Sequence, residues 1–359
     1  MARVLVIKPS SLGDIIHSAE GVQRLSRSTP DCHVTWVVNA GLEDFVREFP
    51  GVDSVVPFPR EKFRARRILG SFPAAMSFAR RLRRGCDVAI DLQGLQRSSL
   101  MGRVSGARER FGPSDAREMA TLHYTHEVVV PGVLTHAIDR TVHVVKEACR
   151  VSRHLHEMPE LDREKSDFRL PVPDPSREKV DEILGDDGRA ILVLCPGSRW
   201  ETKLWPAARW ASFLQLLQES HPELRPVVVG AAGEEGLVDE MSAAGASGVE
   251  SLVGRASIWV CGALMERAAG VVTLDSAPLH LALAVGAPTV SLFGPTDPAK
   301  VGPRGEGHRV LRRGLDCLAC YERKCRLQER ICVPETTAAE VLAALEDVLR
   351  ATPPPESSE

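Results

Sequence analysis

Small residues and cations follow a buried strand in the second half of the chain, where they could bind an anion. The segment VLCPGSRWETKLWP places Gly197, Ser198 and Arg199 at the end of this strand, with Lys203 a few residues later. Small residues let backbone N–H groups approach an anion closely, and an ammonium group supplies the opposite charge. The alternative is a surface loop with an ordinary lysine, and these residues alone do not separate the two interpretations.

A second anion site is predicted in the segment VVTLDSAPLHLALAVG. Asp275 ends a strand there, Ser276 and Ala277 begin a helix, and His280 lies in the first turn of that helix. The N-terminus of a helix carries unpaired N–H groups and partial positive charge, so it attracts phosphate. The same pattern also suits Asp275 as a plain helix cap and His280 as an ordinary packed or surface residue.

The turn after the first strand of the chain has the opposite character. In KPSSLGD a single glycine, Gly13, is followed directly by the carboxylate of Asp14. A carboxylate repels phosphate, so this turn is a poor phosphate site. Asp14 could cap a helix that begins at Ile15, or it could have a chemical role of its own.

Basic residues concentrate in one stretch, although the chain as a whole is slightly acidic. The 359 residues contain 45 Lys and Arg against 48 Asp and Glu, a net charge of −3 that gives no overall field for nucleic acid. From Arg60 to Arg84, nine Lys or Arg residues accompany a single acid, Glu61. A charge run of this kind is usually a solvated helix face.

Four of the nine cysteines lie close together near the C-terminus, at Cys317, Cys320, Cys325 and Cys332. Their spacing is C-x2-C-x4-C-x6-C, and a C-x2-C pair begins many zinc sites. The second pair lacks this spacing. The cluster is therefore either a structural metal site or disulfide, or a reduced and locally packed loop, and we do not expect it to be catalytic.

Alternating strands and helices position these residues. Strands are predicted at 3–8, 33–39, 86–94, 190–198 and 269–277, with helices between them, which is typical of parallel sheets covered by helices. A charged, proline-containing stretch separates two such series. We predict two Rossmann-like domains with the ligand in the cleft between them. The predicted segments are a first domain over 1–160, a linker over 161–185, a second domain over 186–335, a C-terminal helix over 336–350 and a disordered tail over 351–359.

Taken together, these segments resemble the lipopolysaccharide heptosyltransferases of glycosyltransferase family 9. The matching segments run in order over nearly the whole chain: KPSSLGDIIHS, DLQGLQRSS, AREMATLHY, HAIDR, PGSRWETKLWP, VVGAAGEE and LDSAPLHLALAVGAPTVSLFGPTDP. AREMATLHY and SSLGD look most like heptosyltransferase I. The resemblance implies the GT-B fold, and an inverting transfer of L-glycero-D-manno-heptose from ADP-heptose to a Kdo sugar on lipid A, with neither cofactor nor metal.

The resemblance also implies roles for single residues. In the second domain Lys203 would neutralise the departing ADP and Glu234 would bind the ribose, and the donor-binding set is Gly197, Ser198, Arg199, Lys203, Glu234, Asp275, Ser276, Ala277 and His280. In the first domain Asp14 matches the proposed base. The acceptor, with its phosphates and carboxylates, would contact Ser10, Ser11, Gly13, Arg64, Arg66, Arg67 and Arg117.

The expected location is the cytoplasmic face of the inner membrane, as a peripheral protein. The N-terminus lacks a signal-peptide pattern, and no apolar stretch is long enough for a membrane span. Arg80 to Arg84 would be a solvated face or a membrane contact. The alternatives are heptosyltransferase II, another nucleotide-sugar transferase of this fold or, from a different class, a nucleic-acid-binding module. The net charge and the 5% aromatic content disfavour the nucleic-acid module.

Overall fold

The chain forms two α/β units in the computed structural model, and the division falls between Phe168 and Arg169. The structure describes residues 1–61, 68–83, 85–159, 168–185, 187–317, 319–327 and 330–351. Within these residues each unit contains one sheet of six strands, and all neighbouring strands are parallel. The predicted α/β class with a parallel sheet in each half is confirmed.

The first unit is built on strands that are buried on both faces. Residues 4–7 of the first strand are almost fully buried, so its apolar run shows no polar alternation. The strands are β1 (Ala2–Ile7), β2 (Cys32–Asn39), β3 (Ser54–Phe58), β4 (Val88–Asp91), β5 (Glu109–Pro113) and β6 (His126–Val128). The helices are α1 (Leu12–Ser28), α2 (Glu43–Arg47), α3 (Ile68–Leu82), α4 (Gln96–Ser105) and α5 (Ala137–Val151), with 3-10 turns at Ala40–Leu42 and Ala120–His123.

The second unit repeats this architecture. Its strands are β7 (Ala190–Cys195), β8 (Leu224–Val228), β9 (Glu250–Ser251), β10 (Gly270–Leu274), β11 (Thr289–Phe293) and β12 (His308–Arg312). Its helices are α6 (Asp174–Leu184), α7 (Ala207–Ser220), α8 (Glu235–Ala243), α9 (Ile258–Glu266), α10 (Ala277–Val285), α11 (Pro298–Val301) and α12 (Ala338–Ala351), with a 3-10 turn at Glu201–Lys203. Trp205 and Trp210 pack edge to face at 4.9 Å in its core, where α12 also buries Leu345.

The two sheets share one strand order. The first runs β3-β2-β1-β4-β5-β6 and the second β9-β8-β7-β10-β11-β12, so each reads 3-2-1-4-5-6 when counted from its own first strand. In a sheet of this order the connections leave in opposite directions on the two sides of the first strand, and a crevice opens at the carboxyl ends of the first and fourth strands. The turns after β1 and β4, and after β7 and β10, are therefore the places to look for bound ligands.

Some segments differ from the sequence-based expectation. The stretch 161–185, predicted as a linker, contains helix α6, which buries Val180 and Leu184 and packs against α9. These two apolar residues, four apart, form a helical stripe inside an otherwise charged segment. The C-terminal helix begins at Ala338 rather than at residue 336. Residues 352–359 of the predicted tail lie outside the described residues.

No helix among the described residues is both long and apolar enough to cross a bilayer.

Candidate active site

The turn after β1 fixes Asp14 at the start of the first helix. Helix α1 begins at Leu12 with Ser11 as its N-cap, so the alternative of a helix that begins at Ile15 with Asp14 as its N-cap is wrong. Asp14 occupies the third helical position, and its Oδ2 accepts hydrogen bonds from the Ser11 N–H at 2.9 Å and the Ser11 hydroxyl at 2.7 Å. This reciprocal arrangement holds the carboxylate in one orientation.

Asp14 lines a cavity of about 380 Å³ in the first unit. The cavity opens at the carboxyl ends of β1 and β4, and its polar lining comprises Lys8, Asp14, His17, Gln93, Asp115, Arg117, Arg140 and Thr141. Of the predicted acceptor residues, Arg117 lies in this lining. Ser10, Ser11 and Gly13 belong to the adjoining turn and do not line the cavity. The predicted contacts Arg64, Arg66 and Arg67 lie outside the described residues.

Lys8 connects the two turns that border this cavity. Its side chain is 7% exposed, and Nζ donates a hydrogen bond to the carbonyl oxygen of Leu92 at 2.8 Å. Burial lowers the pKa of the Lys8 ammonium, while the carboxylates of Asp14 and Asp91 oppose this shift. The turn after β1 is thereby tied to the turn after β4.

Asp91, the last residue of β4, organises the other side of the cavity. Its buried carboxylate accepts hydrogen bonds from the hydroxyls of Tyr124 and Ser98, both at 2.8 Å, and from the N–H of Gln93 at 2.9 Å. Burial raises the pKa of Asp91, and these hydrogen bonds oppose the shift. Asp91 therefore holds the cavity-lining Gln93 on one side and the aromatic side chain of Tyr124 on the other.

The second unit places a cation at the corresponding point of its own sheet. Lys203 follows β7 and Asp275 follows β10, and Lys203 Nζ lies 2.6 Å from Asp275 Oδ2. Thr296 donates its hydroxyl hydrogen to the same oxygen. The ammonium group also lies 4.7 Å from the centre of the Trp200 ring. Asp275 is thus an ion-pair partner, and the N-cap of α10 is Ser276.

Glu234 lies beside the same turn, in the space that a glycine leaves open. Its Oε2 accepts a hydrogen bond from the N–H of Ala231 at 2.9 Å. A Cβ added to Gly197 would lie only 2.4 Å from this oxygen, so the glycine admits the carboxylate. The structure therefore brings two of the predicted donor residues together. Ser198 accepts a hydrogen bond from the Trp200 N–H at 3.3 Å, and Arg199 is exposed.

The start of α10 supplies a hydroxyl and a backbone donor. Ser276 is the N-cap, and its buried hydroxyl oxygen has no hydrogen-bond partner within the described ranges. Ala277 and Pro278 form the first turn, and His280 follows with 8% of its surface exposed. An anion at this position would find the Ser276 hydroxyl and the N–H of Ala277, because Pro278 has no N–H and the Leu279 N–H donates to the carbonyl oxygen of Ser276 at 3.1 Å.

The four clustered cysteines are free thiols in the structure. Cys317 and Cys320 are exposed, whereas Cys325 and Cys332 are partly buried. Burial raises the pKa of the Cys332 thiol. Among the residues that the structure describes, no three His, Cys, Asp or Glu side chains come together in a group that could hold a metal ion.

Comparison with known proteins identifies the family of this chain. Residues 75–331 match the family described as "Glycosyltransferase family 9 (heptosyltransferase)". The chain belongs to glycosyltransferase family 9. The predicted resemblance is confirmed, and the protein is an enzyme that transfers glycosyl groups.

The relatives of this family 9 enzyme include named heptosyltransferases of bacteria. It is 28% identical to lipopolysaccharide heptosyltransferase 1 of Pseudomonas aeruginosa over 335 residues, which cover 91% of this chain and 88% of that one. The structure of Escherichia coli ADP-heptose lps heptosyltransferase II has a TM-score of 0.76 at 21% identity and covers 97% of this chain and 98% of its own. E. coli heptosyltransferase WaaC with ADP-2-deoxy-2-fluoro heptose has a TM-score of 0.74 at 23% identity, covering 96% and 99%. Both structures show the same fold.

Several side chains of the family 9 enzyme were not predicted as site residues. Three of them line the cavity and lie within segments that carried the family resemblance: Lys8 in KPSSLGD, Gln93 in DLQG and Arg140 in HAIDR. Their positions next to predicted strands and helices could have indicated that they belong to the site. Trp200 contacts Lys203 within a single turn, so it lies inside the segment PGSRWETKLWP. Thr296 contacts Asp275 from the turn after the next strand, and for that contact the sequence carries no local signal.

A substitution at Gly112 tests the packing of Tyr124 that supports Asp91 beside the cavity of the first unit. An added Cβ would lie 2.2 Å from Cζ of Tyr124, whose hydroxyl is bonded to Asp91. We expect Gly112→Ala to lower the free energy of unfolding by about 1–3 kcal/mol, because the ring must move and the buried carboxylate loses a donor. Chemical denaturation measures this change. Gly132→Ala is the matched control, since an added Cβ there meets nothing within 4 Å. Equal stability of the two variants would contradict the packing argument.

Proposed function

We propose that this family 9 enzyme transfers L-glycero-D-manno-heptose from ADP-heptose to a Kdo sugar of lipid A during lipopolysaccharide core synthesis, with inversion and without a metal ion. The observation that carries the proposal is the Lys203–Asp275 pair, 2.6 Å apart, beside the start of α10. It supplies a cation and an oriented N–H group at the ligand-binding edge of the second sheet. The names of its relatives, which include heptosyltransferases with ADP and with an ADP-heptose analogue, favour that donor.

The second unit is suited to the nucleotide and its departing diphosphate. Breaking the bond between sugar and phosphate increases negative charge on the diphosphate, and a fixed ammonium with backbone N–H donors stabilises that charge. Lys203 provides the ammonium, and Ala277 in the first turn of α10 provides an N–H. Glu234, with its carboxylate held beside Gly197, would accept hydrogen bonds from ribose hydroxyls.

The first unit is suited to an anionic acceptor. Its cavity combines the carboxylate of Asp14 with the cationic side chains of Lys8, Arg117 and Arg140. Arg140 is paired with Asp115, whereas no ion pair of Arg117 exists among the described residues. Guanidinium groups bind carboxylates and phosphates with two parallel hydrogen bonds, which matches the acid groups of a Kdo sugar on lipid A.

The proposed reaction is a single displacement. Asp14 accepts the proton of the acceptor hydroxyl while the hydroxyl oxygen forms a bond to the anomeric carbon of the heptose. The bond from that carbon to the diphosphate oxygen breaks, and its electron pair leaves with ADP. Attack from the face opposite the leaving group inverts the anomeric configuration.

We also propose that the enzyme works at the cytoplasmic face of the inner membrane, where such an acceptor lies. The support is a surface near Arg117 at which Leu100, Met119 and Leu122 are 45%, 67% and 66% exposed. The turn that carries Leu122 packs against α4, which carries Leu100 and the exposed Arg103. Exposed apolar side chains with neighbouring cations favour contact with an anionic bilayer.

A donor and acceptor screen tests the proposed substrates. We expect turnover with ADP-heptose and Kdo-lipid A, and at most weak turnover with UDP- or GDP-sugars. Release of ADP and the mass of the glycolipid product measure this. If the enzyme accepts only an acceptor that already carries one heptose, it is heptosyltransferase II, which performs the same chemistry on the next sugar. Exclusive use of a UDP- or GDP-sugar would contradict the proposed donor.

Metal independence has a separate test. Because Lys203 and the N-terminus of α10 would stabilise the departing diphosphate, we expect excess EDTA to leave kcat unchanged. Initial rates with and without added Mg²⁺ after chelation measure this. Loss of turnover that added Mg²⁺ restores would refute the proposal that these residues act without a metal.

Replacing Asp14 tests the proposed base. We expect Asp14→Asn to lower kcat by about 10²- to 10⁴-fold, because the amide cannot accept the proton although its oxygen can still accept the hydrogen bonds of Ser11. Affinity for ADP should stay unchanged. Asp44→Asn is the matched control, since Asp44 is an exposed acid in the first turn of α2 in the same unit. Wild-type kcat in Asp14→Asn would show that Asp14 only stabilises the helix.

A further inference from the structure

The loop between β12 and α12 contacts the proposed donor site. We call residues 317–332 of this loop the cysteine segment. The Thr202 hydroxyl donates a hydrogen bond to the carbonyl oxygen of Glu322 at 2.7 Å, and the Tyr321 N–H donates to the carbonyl oxygen of Pro295 at 2.8 Å. Thr202 precedes Lys203, and Pro295 precedes Thr296. The two residues before Arg323 are therefore fixed to both of the turns that hold the Lys203–Asp275 pair.

One indole ring contacts both Arg323 and Lys203. The Arg323 guanidinium carbon lies 5.3 Å from the centre of the Trp200 ring, and Lys203 Nζ lies 4.7 Å from the same centre. A cation is attracted to the face of an indole ring, and a guanidinium group can stack on it. Trp200 thus restricts where both cationic groups can be, because each lies against the same ring.

The Arg323 guanidinium forms no ion pair with a carboxylate in the described ranges. Lys203 shares its charge with Asp275 at 2.6 Å. Two other arginines of the cysteine segment have acidic neighbours, because Arg326 pairs with Glu322 and Arg330 lies near Glu201. For Arg323 no ion pair is found among the described residues, and its side chain is exposed. Like Arg199, which lies in the same turn as Trp200, it is a guanidinium without an ion pair among the described residues.

We propose that Arg323 is a second cationic ligand of the donor diphosphate, placed by Trp200 and by the backbone contacts of the cysteine segment. This inference rests on the proposed nucleotide-diphosphate donor. A diphosphate carries more than one negative charge, and this charge grows as the sugar departs, so one ammonium that is already paired with a carboxylate offsets only part of it. A guanidinium group adds a full charge and can bind two phosphate oxygens at once.

The proposal gives the cysteine segment a function that needs no catalytic thiol. Cys332 packs at the turn after β11, where a Cβ added to Gly294 would lie 2.8 Å from its sulfur. This packing holds Cys332 in place, and the Thr202 and Pro295 hydrogen bonds hold Glu322 and Tyr321. Arg323 lies between Cys320 and Cys325, in the middle of this fixed stretch.

The test compares Arg323→Gln with Arg323→Lys in the full-length protein, using ADP and adenosine as probes. We expect Arg323→Gln to weaken ADP binding by about ten- to a hundredfold, because a charged hydrogen-bonding group is lost, and to change adenosine binding by less than about twofold. Arg323→Lys should recover part of the ADP affinity, because it retains the charge without the fork geometry. Calorimetry measures ADP binding, and competition against ADP measures adenosine binding.

Arg326→Gln is the matched control, since Arg326 lies three residues away in the same segment and is paired with Glu322. It should bind ADP as the wild type does. Equal ADP affinity in Arg323→Gln and wild type would overturn the assignment, and so would an equal loss for ADP and adenosine, which indicates general loosening of the loop. If the wild type itself bound no ADP, the proposed donor would be contradicted, and the role of Arg323 with it. If the wild type bound ADP and Arg323→Gln bound it equally well, only the role of Arg323 would be contradicted.

Discussion

In each sheet a lysine side chain joins the turn after the first strand to the turn after the fourth strand. The arrangement of both candidate sites depends on these two contacts. In the first unit Lys8, directly after β1, donates to the carbonyl of Leu92 after β4 at 2.8 Å. In the second unit Lys203, in the turn after β7, pairs with Asp275 after β10 at 2.6 Å. Parallel strands leave their turns at one edge of the sheet, and the reversal of strand order separates the turns of the first and fourth strands. A long cationic side chain can span that gap and fix the two turns relative to each other.

The same topology supports opposite chemistry in the two units because the turns differ in composition. The turn after β1 has one glycine and places Asp14 in a reciprocal hydrogen-bonded pair with Ser11. The turn after β7 has small residues and leaves room beside Gly197 for the carboxylate of Glu234. An acid at the tip of the first turn is unsuited to phosphate, but it is well placed to accept a proton. Binding of the donor diphosphate would then belong to the second unit.

Local sequence patterns predicted those parts of the fold that show as a continuous apolar run within a single strand. The buried runs of β1 and β7 and the small residues that follow them are visible in the sequence, so the α/β class was predicted and Asp14 and Lys203 were named as candidates. Helix α6 was missed because its apolar stripe consists of two buried residues among charged ones. The contacts of Thr296 with Asp275 and of Arg323 with Trp200 join segments that are far apart in the chain, and local sequence pattern carries no information about such contacts.

The carboxylate partner of Lys203 explains how a partly buried cation can remain ready for an anion. An unpaired ammonium with 13% of its side chain exposed would lose hydration without compensation, whereas Asp275 and the Trp200 ring replace the lost water. In the proposed donor site the lysine would therefore be desolvated and oriented in advance, and a phosphate oxygen would need little reorganisation to bind it. The same pairing reduces the net charge that Lys203 can offer. A diphosphate site whose lysine is paired with a carboxylate would therefore gain from a second cation that has no such partner. Arg323, exposed and in contact with the Trp200 ring, is the cation that we propose for this role.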